Sequence, residues 1–145
     1  MCMRPNPAAK EIPGNKFKVV IVNDEGDFTP PLMSSKTFYR LHEMAKSDRD
    51  INDYKYEKLF NVIEKGFHVL HSVADAESFI KNWRGYSLAN TDNRNHKMLS
   101  SRLAILEVEV FDYVGSGIDD CTLLDSSVYN SIKPVNVVAS FPPLE

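Results

Sequence analysis

The chain is poor in cysteine, with only Cys2 and Cys121 in 145 residues. One bridge between a terminal tail and a late loop would be an unusual framework, so both are expected as free thiols. That argues against a disulfide-stapled secreted scaffold and for the reducing cytoplasm. Long apolar runs are missing as well: no stretch approaches the ~18 residues that a spanning helix needs, so no membrane partner is expected. The opening Met1-Cys2-Met3-Arg4-Pro5-Asn6-Pro7 lacks the apolar stretch of a secretory leader, and the final Phe141-Pro142-Pro143-Leu144-Glu145 fits no prenylation pattern. A large positive balance is absent too. With Lys+Arg 17 against Asp+Glu 20 the net charge is −3, which argues against a protein that coats nucleic acid. There is no internal repeat and no low-complexity segment. No Walker loop, dinucleotide fingerprint, nucleophile elbow, HExxH or Cys/His metal spacing occurs, so no catalytic residue, cofactor or metal is assigned.

What is present is globular: 43% hydrophobic, 26% charged and 10% aromatic residues, in a chain long enough to bury roughly two thirds of its unfolded surface. Residues 1–15, with three prolines and a glycine, read as an extended N-terminal arm; residues 16–145 read as one domain. The β-branched run FKVVIV (17–22) predicts a strand ending in the turn 23–27. Phe38, Leu41 and Met44, behind Ser34 or Ser35 as a cap, predict a helix over about 35–46. Residues 47–53 are a charged connector. The stretch 54–64 fits either a helix from about 57, stopped by Gly66, or an aromatic strand. FHVLH (67–71) is a strand. Ser72 caps a helix through Trp83, with Asp75 three residues on, and Val73, Ala76, Phe79, Ile80 and Trp83 form its apolar face. Residues 84–101 are a long polar loop, and RLAILEVEVFDY (102–113) is the strongest strand. Gly115-Ser116-Gly117 is a turn, Ser126 to Ile132 a short helix or turn, and PVNVVA (134–139) a last strand at an edge because it opens with proline. The sum is an α+β fold: a small, mainly antiparallel sheet of about four strands with two or three helices packed on it.

The loop 84–102 carries the clearest chemical asymmetry. Arg84, Arg94, Lys97 and Arg102, with His96, stand against one acid, Asp92, in a chain that is otherwise acidic. Asn90, Thr91, Asn93 and Asn95 add neutral donors, and Trp83 and Tyr86 offer faces for stacking. Such a set suits phosphates and a base; the plain alternative is a solvated surface loop. Secondary candidates are His68, and the pair Glu107 and Glu109, roughly 6–7 Å apart on one strand face, which suits acid–base work or the solvated half of a strand. His68 and His71 fall on opposite faces, so they do not form a metal pair.

The segment Ile63-Glu64-Lys65-Gly66-Phe67-His68, followed by Ser72 and Ala74-Asp75-Ala76, resembles a set of small phage-encoded proteins. Their pattern is a lysine-rich first strand, a Ser-Pro-like turn, Gly-Phe-His, a short "edA" helix and a valine-rich strand. The counterparts here are FKVVIV, residues 27–31, 66–68, 74–76 and ILEVEV (105–110); an early Met-Cys also occurs in that set. This chain departs from it in its long 84–101 loop and in the turn Thr29-Pro30-Pro31. The resemblance implies a non-catalytic phage accessory protein of the counter-defence type, working in the host cytoplasm on a host protein or a nucleotide second messenger. In the nucleotide case the loop residues would hold phosphate, with Trp83 or Tyr86 stacking. The piece GFHVLHSVADAESF followed by LAILEVEV is also similar to part of an ADP-ribosyltransferase-like fold. That implies an enzyme acting on a nucleotide or NAD, with His68 orienting the ligand and Glu107 or Glu109 as the carboxylate; FKVVIV lacks the early His or Arg of that family. A virion or assembly component is the third reading. A homo-oligomer is compatible with all three.

Overall fold

The computed structural model describes residues 3–30, 38–89, 97–120 and 122–144, with nothing described of the Lys97 side chain. The elements run β1 (Met3–Pro5), β2 (Lys16–Val22), β3 (Phe28–Thr29), β4 (Ala45–Lys46), α1 (Ile51–Phe60), β5 (Phe67–Leu70), α2 (Val73–Ala89), α3 (Lys97–Ser100), β6 (Arg102–Asp119) and β7 (Asp125–Phe141). The α+β class holds. The sheet is larger than the four strands expected: seven strands, all antiparallel, in the order β1-β6-β2-β5-β7-β4 with β3 beside β2. The extra strands are short pieces, β1, β3 and β4, whose partners are distant in sequence, so no local period marks them.

The sheet is organised by the β6–β7 hairpin, paired from Leu103↔Phe141 to Ile118↔Asp125. Because β6 also pairs with β2, β2 with β5 and β5 with β7, these four strands form a closed ring, joined at its narrowest by the single pair Phe17↔Leu70. Three register shifts in the hairpin, between Ile105/Leu106, Glu107/Val108 and Tyr113/Gly115, supply the bending that closure requires. Pro134 sits at one of them, opposite Val108, where its missing N–H costs least.

Gly115-Ser116-Gly117 is not a turn but part of β6, near its C-terminal end. A Cβ on Gly117 would collide with the Arg4 carbonyl and the Met3 sulfur, and one on Gly115 would press on Ile63 at 3.3 Å. These glycines let β1 cross closely. The chain actually reverses at 119–124, where Asp119 Oδ2 accepts from Thr122 N at 2.8 Å and from its hydroxyl at 2.6 Å. Ser126 to Ile132 is likewise strand, its Ser126, Ser127 and Ser131 buried between β6 and the β5–β4 side.

The helix expected over 35–46 is absent from its described part. Tyr39 exchanges backbone hydrogen bonds with Phe28 (2.7 and 3.2 Å), His42 has φ +66°, and Ala45–Lys46 pairs with β7. Pairing across the sheet overrides the three-residue spacing there. The ambiguous stretch resolves as helix, but earlier than expected. Asp50 Oδ1 accepts from Asn52 N (2.8 Å) and Asp53 N (3.3 Å) while Asp53 Oδ2 accepts from Asp50 N (2.9 Å), a complete capping box. Asn61, not Gly66, supplies the left-handed stop. In α2 the Ser72 hydroxyl accepts from Asp75 N at 3.0 Å as expected, but the helix runs on through Gly85 to Ala89.

Alternation along β2 and β6 splits the core in two. Phe17, Val19, Ile21, Leu103 and Ile105 pack under Ala76, Phe79 and Ile80 of α2. Val20, Ala104, Leu106 and Val108 face the other way, onto Phe67, Tyr129, Tyr39 and Phe28.

Candidate functional site

The positively charged segment divides on folding. Arg94 and His96 lie outside the described residues, and Lys97 opens α3. Arg84 is buried and its donors are spent on the protein itself: Nε donates to the Met98 carbonyl at 2.8 Å, and a terminal nitrogen to the Pro142 carbonyl at 2.9 Å and the Ser101 carbonyl at 3.3 Å. Burial lowers its pKa. Arg84 is therefore a clamp rather than a ligand-binding group. It holds the end of α3 and the C-terminal strap together, and Leu144 N donating to the Leu99 carbonyl at 2.8 Å completes the join. Trp83 is half-buried against the α2 core, edge-on to Tyr86 at 5.6 Å; Tyr86 is exposed. Neither side chain lines the cleft described next.

Arg102 is different. It is exposed at the start of β6, opposite Val22 of β2, and no described side chain forms an ion pair with it. It lines a cleft of about 640 Å³ formed by the end of β2 (Ile21, Val22), Asn23 and Asp24, Thr29 of β3, Ser100 and Ser101, and Pro143 of the strap. That volume lies in the range of small-molecule sites. One wall is rigid by construction: Asn23 Oδ1 accepts from Glu25 N (3.0 Å) and Asp27 N (2.9 Å), closing the 23–27 turn. The opposite wall is the segment Arg84 clamps. Sequence reasoning found Arg102 but missed Asn23, Asp24, Thr29, Ser100, Ser101 and Pro143. The run Asn23-Asp24-Glu25-Gly26-Asp27 was legible as a turn, but nothing local says that β6 brings a cation to it.

The secondary candidates lie elsewhere. His68 is buried in β5, its Nε2 3.1 Å from the Ile63 carbonyl. Burial, helped by the charge of Lys18, pushes its pKa down to about 3, so it is neutral at ordinary pH and has no surface to offer a ligand. Lys18 is the unexpected neighbour. Its Nζ donates to the His68 carbonyl at 3.1 Å and lies 5.9 Å from the centres of the Tyr39 and Phe67 rings; burial lowers its pKa to about 8. Glu107 stands opposite Phe17 and Asn136, and Glu109 opposite Lys133, so the two carboxylates are flanked separately along the strand. His71 ends a buried hydroxyl chain, with Nε2 3.0 Å from Ser127 Oγ, Ser127 2.6 Å from Ser116 Oγ, and Ser116 accepting from the Tyr113 hydroxyl at 2.8 Å. Ser127 is fully buried, so this chain joins strands and presents no nucleophile to solvent.

Among the described residues no group of three or more His, Cys, Asp or Glu is placed to hold a metal ion, and no helix is long and apolar enough to cross a membrane. What the Arg102 cleft can do chemically is bind: an exposed cation and small polar side chains between two braced walls suit an anionic group on a small molecule. No protein-family model, curated protein or solved structure matches this chain.

Proposed function

We propose that the protein is a non-catalytic accessory protein that captures a small anionic ligand, of the nucleotide-signal class, in the cleft between the β2–β3 turn and the start of β6. The observation that carries this reading is Arg102, an exposed guanidinium without an ion-pair partner among the described residues, in a cleft of about 640 Å³. Guanidinium pairs with phosphate in two-point geometry, and Ser100, Ser101 and Thr29 add short donors beside it. The resemblance to small phage proteins supports a role in the host cytoplasm, with the signal a host messenger. Capture needs no acid, base or nucleophile, and among the described residues of the lining the one carboxylate is Asp24.

Calorimetry against cyclic nucleotides and cyclic ADP-ribose isomers tests this directly. At least one should bind, and Arg102→Ala should weaken it about tenfold or more while leaving the thermal midpoint unchanged, since an exposed, unpaired side chain contributes little to stability. Silence from the whole panel, or binding indifferent to Arg102→Ala, removes the proposal.

A further inference from the structure

The ion pairs of the described residues spend opposite charges on each other: Glu57 on Arg49, Asp27 on Arg40, Asp53 on Lys65 and Asp120 on Arg4. The Arg102 cleft is different. Among its described lining residues stand one acid, Asp24, and one cation, Arg102, and no described residue pairs with either. Val22 lies opposite Arg102, and Asp24 is two residues on, so its backbone is at most roughly 7 Å further along the strand axis. That offset, with the length of two side chains, is on the scale of one nucleotide. The backbone under Asp24 is fixed. Asn23 N donates to the Asp27 carbonyl at 2.9 Å and Gly26 N to the Asn23 carbonyl at 3.0 Å, and Gly26 takes the φ of +84° that the turn requires. With the two bonds to Asn23 Oδ1, this leaves the carboxylate only its own short side chain to move.

We infer that the base of the captured nucleotide is guanine, read by Asp24. This rests on the capture reading above and names the ligand within it. A phosphate held at Arg102 is repelled by Asp24, and an ionised carboxylate accepts hydrogen bonds without donating any. The part of the ligand that reaches Asp24 therefore carries donors. Guanine sets two donors, N1–H and the N2 amino group, side by side on one edge, where they match the two oxygens of one carboxylate. Adenine sets its N1 lone pair beside its amino donor and so turns an acceptor toward an anion. Cytosine does the same with N3 and N4, and uracil flanks a single donor with two carbonyls. Ile21, Val22 and Pro143 supply apolar surface for the ring faces. A fixed acceptor that meets donors in one base and a lone pair in another discriminates between them.

Calorimetry with cyclic GMP, cyclic IMP and cyclic AMP tests the assignment, on the wild type, Asp24→Asn and Arg102→Ala. Asp24 and Arg102 are both exposed, so neither change threatens the fold. Cyclic GMP should bind about tenfold or more tighter than cyclic AMP, with cyclic IMP, which keeps N1–H but lacks the amino group, between them. Asp24→Asn should weaken cyclic GMP about tenfold and leave cyclic AMP no weaker, which removes the preference. Arg102→Ala should weaken all three alike, since it meets the phosphate they share. Equal binding of cyclic GMP and cyclic AMP, both weakened by Arg102→Ala, overturns the guanine assignment and leaves capture standing. So does silence from these three beside binding of a cyclic ADP-ribose isomer. A guanine preference that survives Asp24→Asn overturns Asp24 as its reader. Silence from the whole panel, or indifference to Arg102→Ala, removes the capture reading and the guanine assignment together.

Discussion

α2 and α1 begin alike, each capped by a side-chain oxygen, and end as opposites. α2 buries Ala76, Phe79 and Ile80 against β2 and β6 and keeps its charged residues outside, apart from the clamping Arg84. α1 buries a glutamate and exposes its leucine, isoleucine and phenylalanine. One helix is held by area removed from water, the other by one ion pair and a cap. Removing apolar surface should therefore cost the whole fold at α2, whereas cutting the ion pair should cost only local order at α1. Phe79→Ala tests the first half: about 3–5 kcal/mol of global stability should go, read as a thermal midpoint lower by on the order of 10 °C. A loss below about 1 kcal/mol would mean that α2 is not the clamp on this face of the sheet.

Two buried cations extend the comparison. Arg49 has a carboxylate partner; Lys18 has one carbonyl and two ring faces. The lysine's pKa in the fold, about 8 against an ordinary 10.5, means that the native state binds the proton less tightly than the unfolded chain. The penalty is complete below pH 8 and relieved as pH rises from 8 to 10.5. Lys18→Met should stabilise the protein at pH 7 by up to about 3 kcal/mol and flatten the rise between pH 8 and 10.5 in denaturant titrations. His68, with a folded pKa of about 3 against 6.5, adds the acid limb: stability should fall as pH drops from 6.5 toward 3, because only the unfolded imidazole readily takes the proton. A profile that is level from pH 6.5 to 4 would contradict the burial of His68. At Arg84 the effect is intermediate. Arg84→Met leaves the Met98, Ser101 and Pro142 carbonyls without their donor and should cost about 2–3 kcal/mol, with faster amide exchange at Leu144.

The legible parts of this fold are those with a clean period. β2, β5, the first two thirds of β6 and the apolar stripe of α2 all followed from alternation or four-residue spacing. The unread parts depended on partners far away in sequence. Gly115 and Gly117 looked like a turn because nothing local reveals that Met3 and Arg4 pass over them. Phe38, Leu41 and Met44 mimic a helix stripe but belong to a segment that pairs with β3 and β7. The serines of 126–132 have no β propensity of their own and become strand only between β6 and the β5–β4 side. For the site, composition exposed the positive segment, but it could not separate Arg84, spent on carbonyls, from Arg102, left facing a cleft. Burial alone makes that distinction. The Asp50 capping box is present in the sequence, four residues before Tyr54, but Asp50 and Asp53 sit in a charged stretch that also fits a connector.

The smallest global effect belongs to the ion pair under α1, and its smallness is the test. Removing one partner of a buried pair in a rigid core costs about 3–5 kcal/mol. The loss is capped, however, wherever the element can open by itself, because the stranded charge then reaches water for the price of local unfolding. α1 places no apolar residue in the core, so its opening exposes little new apolar surface and costs little. Glu57→Gln should therefore move the thermal midpoint by no more than about 2 °C, while amide protection over Tyr54–Phe60 falls to that of a frayed segment and α2 amides keep theirs. If Glu57→Gln instead lowers the midpoint as far as Phe79→Ala, with α2 and α1 losing protection together, then the two helices are one cooperative unit and the contrast between them fails.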